Sequence, residues 1–200
     1  MGDSMILALT GAGISKASGI PTFEEQGDLR NCLSRDYANN YPKEFKKLMN
    51  ELDKKCIAAN PNDAHYALAE YKIPIITMNI DSLHIRAGSK NVLEVHGSLR
   101  ENNVVLYGDS APVYTEALDW VDRLGNKDTI LIIGTSFYTT FSSQVKQAAE
   151  NNGVNIVIIN ADAEHEVRKY LEENKECIED FESFIKRTPS WRYNFSIYSY

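Results

Sequence analysis

A glycine-rich stretch near the N-terminus has the residue types of a phosphate-binding loop. The apolar run "MILAL" (5–9) leads into "GAG" (11–13), and Ser15 follows two residues later. Backbone N–H groups that open a helix after such a turn attract phosphate, and a serine hydroxyl can donate a further hydrogen bond. A plain strand-to-helix turn explains Gly-Ala-Gly equally well when it is taken alone.

The loop is not of the dehydrogenase type. Lys16 replaces the third glycine of G-x-G-x-x-G, and no strand-end acid follows about 20 residues later.

His96 is the side chain best suited to general acid–base chemistry. Imidazole titrates near neutrality, and a positioned base accelerates a proton-transfer step by about 10²–10⁴-fold. His96 follows the apolar run "NVLEV" (91–95) and precedes a glycine that leaves space for a ligand. The alternative is a strand-end histidine bonded only to backbone. Of the four histidines, His65 and His84 lie within helical patterns, where a structural role is expected, and His165 lies in a polar stretch.

Small polar side chains follow three further apolar runs. The carboxyl ends of parallel strands lie along one edge of a sheet, where ligands bind, and small hydroxyl and amide groups there can approach a phosphate or ribose closely. Asn-x-Asp is also a common turn, and Ser, Thr and Asn are ordinary helix caps, so both interpretations stay open here. The residues are Asn79 and Asp81 after "IPIITM" (73–78), Gly134, Thr135 and Ser136 at the end of "TILIIG" (129–134), and Asn160 at the end of "NIVIIN" (155–160).

The elements that must position these residues alternate between short strands and helices. Continuous Val/Ile/Leu runs are typical of a parallel sheet covered on both faces, and the predicted strands are 5–9, 73–78, 91–95, "NVVLY" (103–107), 129–134 and 155–160. Helical spacing occupies 42–56, 61–71, 114–124 and 141–153, the last ending in Asn-Gly. Pro42 and Pro61 are expected in first helical turns. The alternation predicts a doubly wound α/β domain with a mainly parallel, Rossmann-like sheet.

Composition and charge exclude several classes of protein. The chain has 200 residues, of which 43% are hydrophobic, as in an ordinary globular domain. Its net charge of −7 argues against a general nucleic-acid binder. No apolar run approaches the roughly 20 residues of a membrane span, and no signal peptide is recognisable, so we expect a cytoplasmic protein without membrane contact. Cys32, Cys56 and Cys177 form no C-x-x-C pair, which indicates a reducing compartment and no structural zinc site.

Several motifs resemble the sirtuin family, in the family's order. "TMNIDSLHIRAG" (77–88) resembles Thr-Gln-Asn-Ile-Asp-x-Leu-His-x-Arg-Ala-Gly, and "EVHGS" (94–98) carries the family's His-Gly. "VVLYGDSAP" (104–112) resembles a weakened Val-x-Phe-Gly-Glu-x-x-Pro, and "IIGTS" (132–136) and "IIN" (158–160) resemble two nucleotide-contacting strand ends. The signature Gly-Ala-Gly-x-Ser-x-x-Ser-Gly-Ile-Pro-Asp-Phe-Arg is matched at Gly11, Ala12, Gly13, Ser15, Ser18, Gly19, Ile20, Pro21 and Phe23. Ordered motifs over residues 5–160 are not a chance agreement.

This resemblance implies an NAD-dependent protein lysine deacylase, a transferase. Such an enzyme cleaves the nicotinamide–ribose bond of NAD while an acyl-lysine carbonyl oxygen captures the ribose, and the acyl group ends on ADP-ribose. By resemblance, His96 is the general base, Asn79 and Asp81 orient nicotinamide and ribose, and Tyr107-Gly108-Asp109 stands for the element that pairs with a peptide substrate. The implied NAD-binding residues are Gly11, Ala12, Gly13, Ser15, Ile20, Pro21, Phe23, Asn79, Ile80, Asp81, Gly134, Thr135, Ser136 and Asn160.

Two departures from the family pattern bear on function. Where the family inserts a zinc module with two Cys-x-x-Cys pairs, only "SLRENNVVL" (98–106) is present, so we predict no zinc and a reduced or absent small domain. Glu24 replaces the arginine of the signature and would repel a pyrophosphate, and Arg30 could supply the missing charge. The deacylase interpretation leads. An NAD hydrolase or ADP-ribosyl transferase, and a catalytically silent NAD or ADP-ribose sensor, stay as alternatives.

The sequence also suggests domain bounds. We predict one sirtuin-like NAD-binding domain over residues 1–187, in which 24–60 forms a lid or small helical region. Beyond it the chain becomes rich in alternating aromatic residues, and Pro189 opposes a helix. We interpret 188–200 as a docked tail or an added edge strand, with a binding motif as the alternative.

Overall fold

A five-stranded parallel sheet forms the centre of the computed structural model, which describes residues 4–22, 25, 27–137, 139–175 and 178–189. The strands are β1 (Ile6–Thr10), β2 (Ile75–Thr77), β3 (Val92–Glu94), β4 (Thr129–Ile133) and β5 (Asn155–Ile159). Their order is β3-β2-β1-β4-β5, and all neighbouring pairs are parallel. The predicted doubly wound α/β class is confirmed. The order reverses between β1 and β4, which is the topological switch point where such sheets bind ligands.

Helices connect the strands and cover the sheet. They are a 3-10 helix (Ala12–Ser18), α1 (Leu29–Cys32), α2 (Arg35–Asn40), α3 (Pro42–Ala58), α4 (Asp63–Glu70), α5 (Leu83–Arg86), α6 (Val113–Asp122), α7 (Thr140–Asn151), α8 (Ala163–Asn174) and α9 (Phe181–Phe184). Pro42 begins α3 as expected, whereas Pro61 precedes α4, whose N-cap is Asn62. Gly153, with φ +68, follows the end of α7 where a stop was predicted. Within the described ranges, no helix is both long and apolar enough to span a membrane.

Apolar side chains bury the sheet on both faces. Alternate residues of each strand point to opposite faces, so Leu7 and Ile132 join one apolar cluster while Ala8 and Leu131 join another. The first cluster also contains Phe141 of α7, which is 1% exposed. Burying such a side chain stabilises the fold by about 1.5–3 kcal/mol. The continuous apolar runs of β1 and β4 therefore reflect burial on both sides.

The run 103–107 is not a strand of the sheet, contrary to the prediction. Among its residues only Tyr107 forms a β-bridge, and its partner is Ser34. Val104 and Leu106 pack instead against a third apolar cluster, which α1–α3 and the loops between them largely supply. The apolar alternation of this run comes from burial against those helices. We call the segment that contains α1–α3, residues 29–58, the lid helices.

Candidate active site at the carboxyl edge of the sheet

A cavity of about 830 Å³ lies at the carboxyl edge of the sheet. Its volume falls within the roughly 300–1,000 Å³ of pockets that hold small-molecule ligands. Predicted site residues that are distant in the sequence meet here: Gly11, Ala12, Gly13, Asn79, Ile80, His96, Tyr107, Gly108, Asp109, Gly134, Thr135, Ser136 and Asn160. A second cavity, of about 50 Å³, shares Ala12, Leu33, Asn79 and Ile80 with the first. The predicted site residues Ser15, Ile20, Pro21 and Asp81 line it as well.

The glycines of the first loop are required by close packing on the end of β4. A Cβ atom on Gly13 would lie 2.6 Å from the Cα of Gly134, and one on Gly11 would lie 2.8 Å from the Gly134 oxygen. Gly134 has φ +62 and would itself clash, because its Cβ would lie 2.3 Å from the nitrogen of Ile14. The Gly13 N–H donates to the Gly134 carbonyl at 2.8 Å, so a phosphate would have to compete with that bond, and the role of Gly13 in binding NAD stays a prediction. The N–H of Ala12 has no acceptor among the described residues.

Ser15 lies between Asn79 and Asp81 in a buried polar cluster. Its hydroxyl donates to Oδ2 of Asp81 at 2.7 Å and accepts from Nδ2 of Asn79 at 3.1 Å. Oδ1 of Asp81 accepts from the N–H of Leu83 at 2.9 Å. Burial raises the pKa of Asp81, and the hydrogen bonds from Leu83 and Ser15 oppose that rise. Ser15 is thus directed at the two polar residues of the second cavity and does not line the larger one.

His96 is held by a hydrogen bond at each ring nitrogen. Nδ1 lies 3.1 Å from the carbonyl of Met78, and Nε2 lies 2.7 Å from the hydroxyl of Tyr114. A carbonyl only accepts, so Nδ1 carries the proton, and in the neutral ring Nε2 is the acceptor. Burial lowers the pKa of His96, and the hydrogen bond to Met78 acts against that change. The ring is therefore neutral near pH 7 and basic at Nε2.

The other histidines differ from His96 as predicted. His65 and His84 are buried, with ring centroids 4.8 Å apart. Nε2 of His84 lies 2.9 Å from Oγ1 of Thr10, and Nδ1 of His65 lies 3.0 Å from Oδ1 of Asn62. Burial lowers the pKa of His65 to about 4 and also lowers that of His84. His165 is exposed on α8, so His96 is the histidine that faces the cavity.

Asn160 joins the end of β5 to the end of β4. Its side-chain oxygen accepts from the N–H of Thr135 at 3.1 Å, and its Nδ2 donates to the Thr135 carbonyl at 3.1 Å. The N-cap of α8 is Asp162, so Asn160 is not the cap that the alternative interpretation suggested. The pair fixes both strand ends at the wall of the cavity.

Lys16 neutralises one of the two acids that follow the glycine loop. Its Nζ lies 2.6 Å from Oε1 of Glu25, and Oε2 of Glu25 accepts from the N–H of Thr22 at 3.0 Å. The hydrogen bond from Lys16 is the main reason that the pKa of Glu25 is lowered. Phe23 and Glu24 lie outside the described residues, so the contacts predicted for both stay predictions.

Tyr107 and Asp109 form the wall opposite the strand ends and are tied to the lid helices. The N–H of Tyr107 donates to the carbonyl of Leu33 at 3.0 Å, and its carbonyl accepts from the N–H of Arg35 at 2.9 Å. The Arg35 guanidinium donates from Nε and Nη2 to the two carboxylate oxygens of Asp109, at 2.8 and 2.7 Å. Arg30 lies over the ring of Tyr107, 5.2 Å from its centroid. The backbone of Tyr107 is thus already paired within the chain.

Potential metal-ligating side chains are dispersed over the described ranges. There, no three His, Cys, Asp or Glu side chains are grouped so that they could hold a metal ion. Cys32 and Cys56 are free thiols, and burial raises the pKa of Cys56 to about 12. Cys177 lies outside the described residues. The expectation that no zinc is needed stays a prediction.

Tyr114 is a cavity residue that the sequence analysis missed. It is the second residue of α6, and its hydroxyl contacts the ring of His96. In the sequence, only its position two residues after the 104–112 motif could have indicated that Tyr114 lines the cavity. Its residue type and spacing fit an ordinary amphipathic helix equally well.

Comparison with known proteins shows the family that the chain resembles. Residues 11–103 match the family model described as the Sir2 family. The chain is 31% identical over 202 residues to the NAD-dependent protein deacetylase of Sulfolobus acidocaldarius, covering 78% of this chain and 79% of that protein. It is 32% identical over 170 residues to the NAD-dependent protein deacylase of Aggregatibacter actinomycetemcomitans, covering 65% of this chain and 80% of that protein.

Solved structures share the fold. One is Sir2 in complex with an inhibitor, 2'-O-acetyl-ADP-ribose and a deacetylated peptide, with a TM-score of 0.73 and 26% identity over 85% of this chain and 94% of that one. A Sir2 homologue variant in complex with ADP-ribose gives a TM-score of 0.77 and 26% identity over 85% of this chain and 91% of that one.

Proposed function

The chain belongs to the Sir2 family, and from this premise we propose that it is an NAD-dependent protein lysine deacylase. It cleaves the nicotinamide–ribose bond of NAD and transfers an acyl group from lysine to ADP-ribose. The observation that carries the proposal is that Asn79, His96 and Asn160, each at the end of a different strand, line one cavity of about 830 Å³. The relatives named for this activity support it.

NAD lies along the carboxyl edge of the sheet. Its adenosine side meets Thr135 and Asn160, and its pyrophosphate accepts from the N–H of Ala12, which has no other acceptor in the part of the chain that the structure describes. Nicotinamide enters the second cavity, where Ile80 and neighbouring apolar groups surround the ring and Asn79 with Asp81 recognises the carboxamide. The buried bonds of Ser15 to both residues hold them in place.

Arg30 supplies positive charge on the lid side of the cavity. It lines the cavity, and stacking over Tyr107 directs its guanidinium without neutralising it. A cation there offsets the loss of the family's arginine at position 24, since two unit charges about 4 Å apart interact by about 1 kcal/mol even in water.

His96 acts as the general base for the ribose. As a ribose hydroxyl attacks the captured acyl carbon, its proton must leave, and Nε2 of neutral His96, a residue that lines the cavity, is the basic atom. The carbonyl of Met78 accepts the Nδ1 proton throughout and stabilises the imidazolium that forms.

One observation favours a second function, NAD hydrolysis. Both backbone groups of Tyr107 are bonded to Leu33 and Arg35, and Arg35 also holds Asp109. A peptide that pairs with this element has to displace those bonds, whereas water needs no such edge. The silent-sensor alternative depended on Glu24 and has no support from the described residues.

Nicotinamide release with and without an acetyl-lysine peptide separates these functions. The deacylase releases nicotinamide only with peptide, in equal amounts with deacetylated peptide and acetyl-ADP-ribose. Release at the same rate without peptide identifies a hydrolase. Saturable NAD binding without any release contradicts both.

A further inference from the structure

The Tyr114 hydroxyl is hydrogen-bonded to Nε2, the atom through which His96 acts as a base. Because Nδ1 of His96 donates to the Met78 carbonyl, Nε2 has the ring's one available lone pair. The Tyr114 hydroxyl lies 2.7 Å from Nε2 and is therefore the donor in that hydrogen bond. A ribose hydroxyl cannot donate to the same lone pair at the same time. Either it displaces Tyr114, or its proton passes through Tyr114.

The packing of Tyr114 opposes displacement. Its ring centroid lies 4.4 Å from that of Phe141, which is 1% exposed, and 5.9 Å from that of His96. Its backbone lies in the first turn of α6, where its N–H donates to the carbonyl of Ala111 at 3.1 Å. Removing the hydroxyl from Nε2 would move the ring off a buried aromatic neighbour, which costs the contact energy of that aromatic pair. Tyr114 also lines the cavity, as His96 does.

We propose that Tyr114 is a catalytic residue that passes the proton of the NAD ribose hydroxyl to His96. This inference rests on the proposed function. As the ribose oxygen forms its bond to the acyl carbon, the carbon–nitrogen π bond of the captured amide breaks and its electron pair moves onto nitrogen. The ribose O–H bond breaks in the same step, and its proton bonds to the Tyr114 oxygen. The original Tyr114 proton transfers to Nε2 in the same step. Tyr114 ends neutral as it began, His96 ends as an imidazolium, and no electron donor or acceptor is needed.

The surroundings of Tyr114 favour transfer in one step. Burial raises the pKa of Tyr114, and its neighbour Tyr107 raises it further, so a free tyrosinate is disfavoured. A tyrosine that receives one proton as it gives up another never bears that charge. The relay thus connects His96 to the ligand through Tyr114.

The test is Tyr114→Phe, which removes the hydroxyl and keeps the ring against Phe141. At saturating NAD and acetylated peptide we expect kcat to fall by about 10- to 100-fold, because proton transfer is impaired in the transition state, while the Kd of NAD changes by less than about twofold. In a His96→Ala background, Tyr114→Phe should cause no further loss, since the two residues act in series. Tyr170→Phe in α8, outside the cavity lining, is the matched control and should retain the parent rate.

Solvent isotope effects on the parent enzyme and on Tyr114→Phe give a second readout. Two protons move in one step in the relay, so the rate should curve with the deuterium fraction of the solvent, and Tyr114→Phe should make the dependence linear. A parent rate that is linear in deuterium fraction, a Tyr114→Phe variant at or above the parent rate, or additive losses with His96→Ala would overturn the relay while the deacylase assignment stands. A parent protein without NAD turnover would overturn both.

Discussion

The two walls of the active-site cavity are built in different ways. The cofactor wall consists of strand ends and glycines whose backbones touch, as where a Cβ on Gly13 would lie 2.6 Å from Gly134. The acceptor wall, around Tyr107 and Asp109, is attached to the lid helices by a β-bridge and by the ion pair with Arg35, whose side chain is 48% exposed. Exposed ion pairs contribute little to the stability of a fold. Backbones that pack directly on each other leave no space for a larger side chain.

This difference explains which parts of the family pattern this chain retains. A close backbone contact requires glycine at fixed positions, so the cofactor motifs can be recognised in the sequence. Side-chain contacts on the acceptor wall can be exchanged, and the lid helices pack directly on Val104 and Leu106. The NAD chemistry should therefore respond sharply to changes in the first wall and mildly to changes in the second.

The largest effect is expected at the base on the cofactor side. His96→Ala should lower turnover by about 10²–10⁴-fold, while the Kd of NAD stays within about tenfold of the parent, because a general base acts mainly in the transition state. Steady-state deacetylation and a separate NAD titration measure the two quantities. His165→Ala, at an exposed position, is the control and should keep the parent rate. Unchanged turnover in His96→Ala would remove His96 from its role.

The packing of the cofactor wall is tested by a matched pair of glycine variants. Gly134 has φ +62 and its Cβ would meet the Ile14 nitrogen at 2.3 Å, whereas Gly153 has φ +68 and its nearest atom, on Asn126, lies at 3.8 Å. Both alanine variants suffer about 1–2 kcal/mol of left-handed backbone strain. Gly134→Ala should lose about 1–3 kcal/mol more, because the clash adds to the strain. Urea unfolding measures the difference, and equal losses would contradict the close packing.

Weakening the acceptor wall should improve peptide binding, whereas changes in the cofactor wall should impair function. Arg35→Ala removes the ion pair with Asp109 and should lower the KM for an acetylated peptide by about two- to fivefold, while the KM for NAD stays unchanged. Arg168→Ala is the matched control, because Arg168 donates from Nε and Nη2 to both carboxylate oxygens of Asp63 on another part of the surface. A peptide KM that rises or does not move would show that the pairing of Tyr107 with the lid helices does not compete with substrate.

Metal removal should have the smallest effect. The acceptor wall is held by apolar packing and the Arg35 ion pair, so EDTA or a zinc-selective chelator should change neither the unfolding midpoint nor the turnover rate. Calorimetry and the deacetylation assay provide the measurements. Loss of helicity on chelation would mean that the chain holds a structural metal after all.

The sequence predicted the cofactor wall well because two simple rules govern it. Continuous apolar runs mark β1 and β4, and parallel strands bring their carboxyl ends to one edge, which places Asn79, His96 and Asn160 together. The resemblance added the roles that spacing alone left open. The partner of the Gly13 N–H could not be predicted, because it depends on the approach of Gly134, which is 121 residues away by difference of residue numbers.

The acceptor wall was predicted less well. The alternation of 103–107 has the period of a strand, but burial against helices gives the same pattern as pairing in a sheet. The contact of Tyr114 with His96 joins a helix start to a strand end, and no local pattern encodes it. The sequence lacks the cysteine pairs of a zinc module and predicted a lid or small helical region over 24–60, but it did not predict that these helices pack on Val104 and Leu106.

Calorimetric titration of NAD, without peptide, tests most directly the claim that the cofactor wall works independently of the acceptor wall. The parent protein should bind one NAD. Asn160→Ala, which frees the end of β4, and Arg30→Ala, which removes the lid cation, should each weaken binding by about tenfold. Arg35→Ala should leave the Kd within about twofold of the parent. No binding by the parent, or a loss in Arg35→Ala as large as that in Asn160→Ala, would contradict the account.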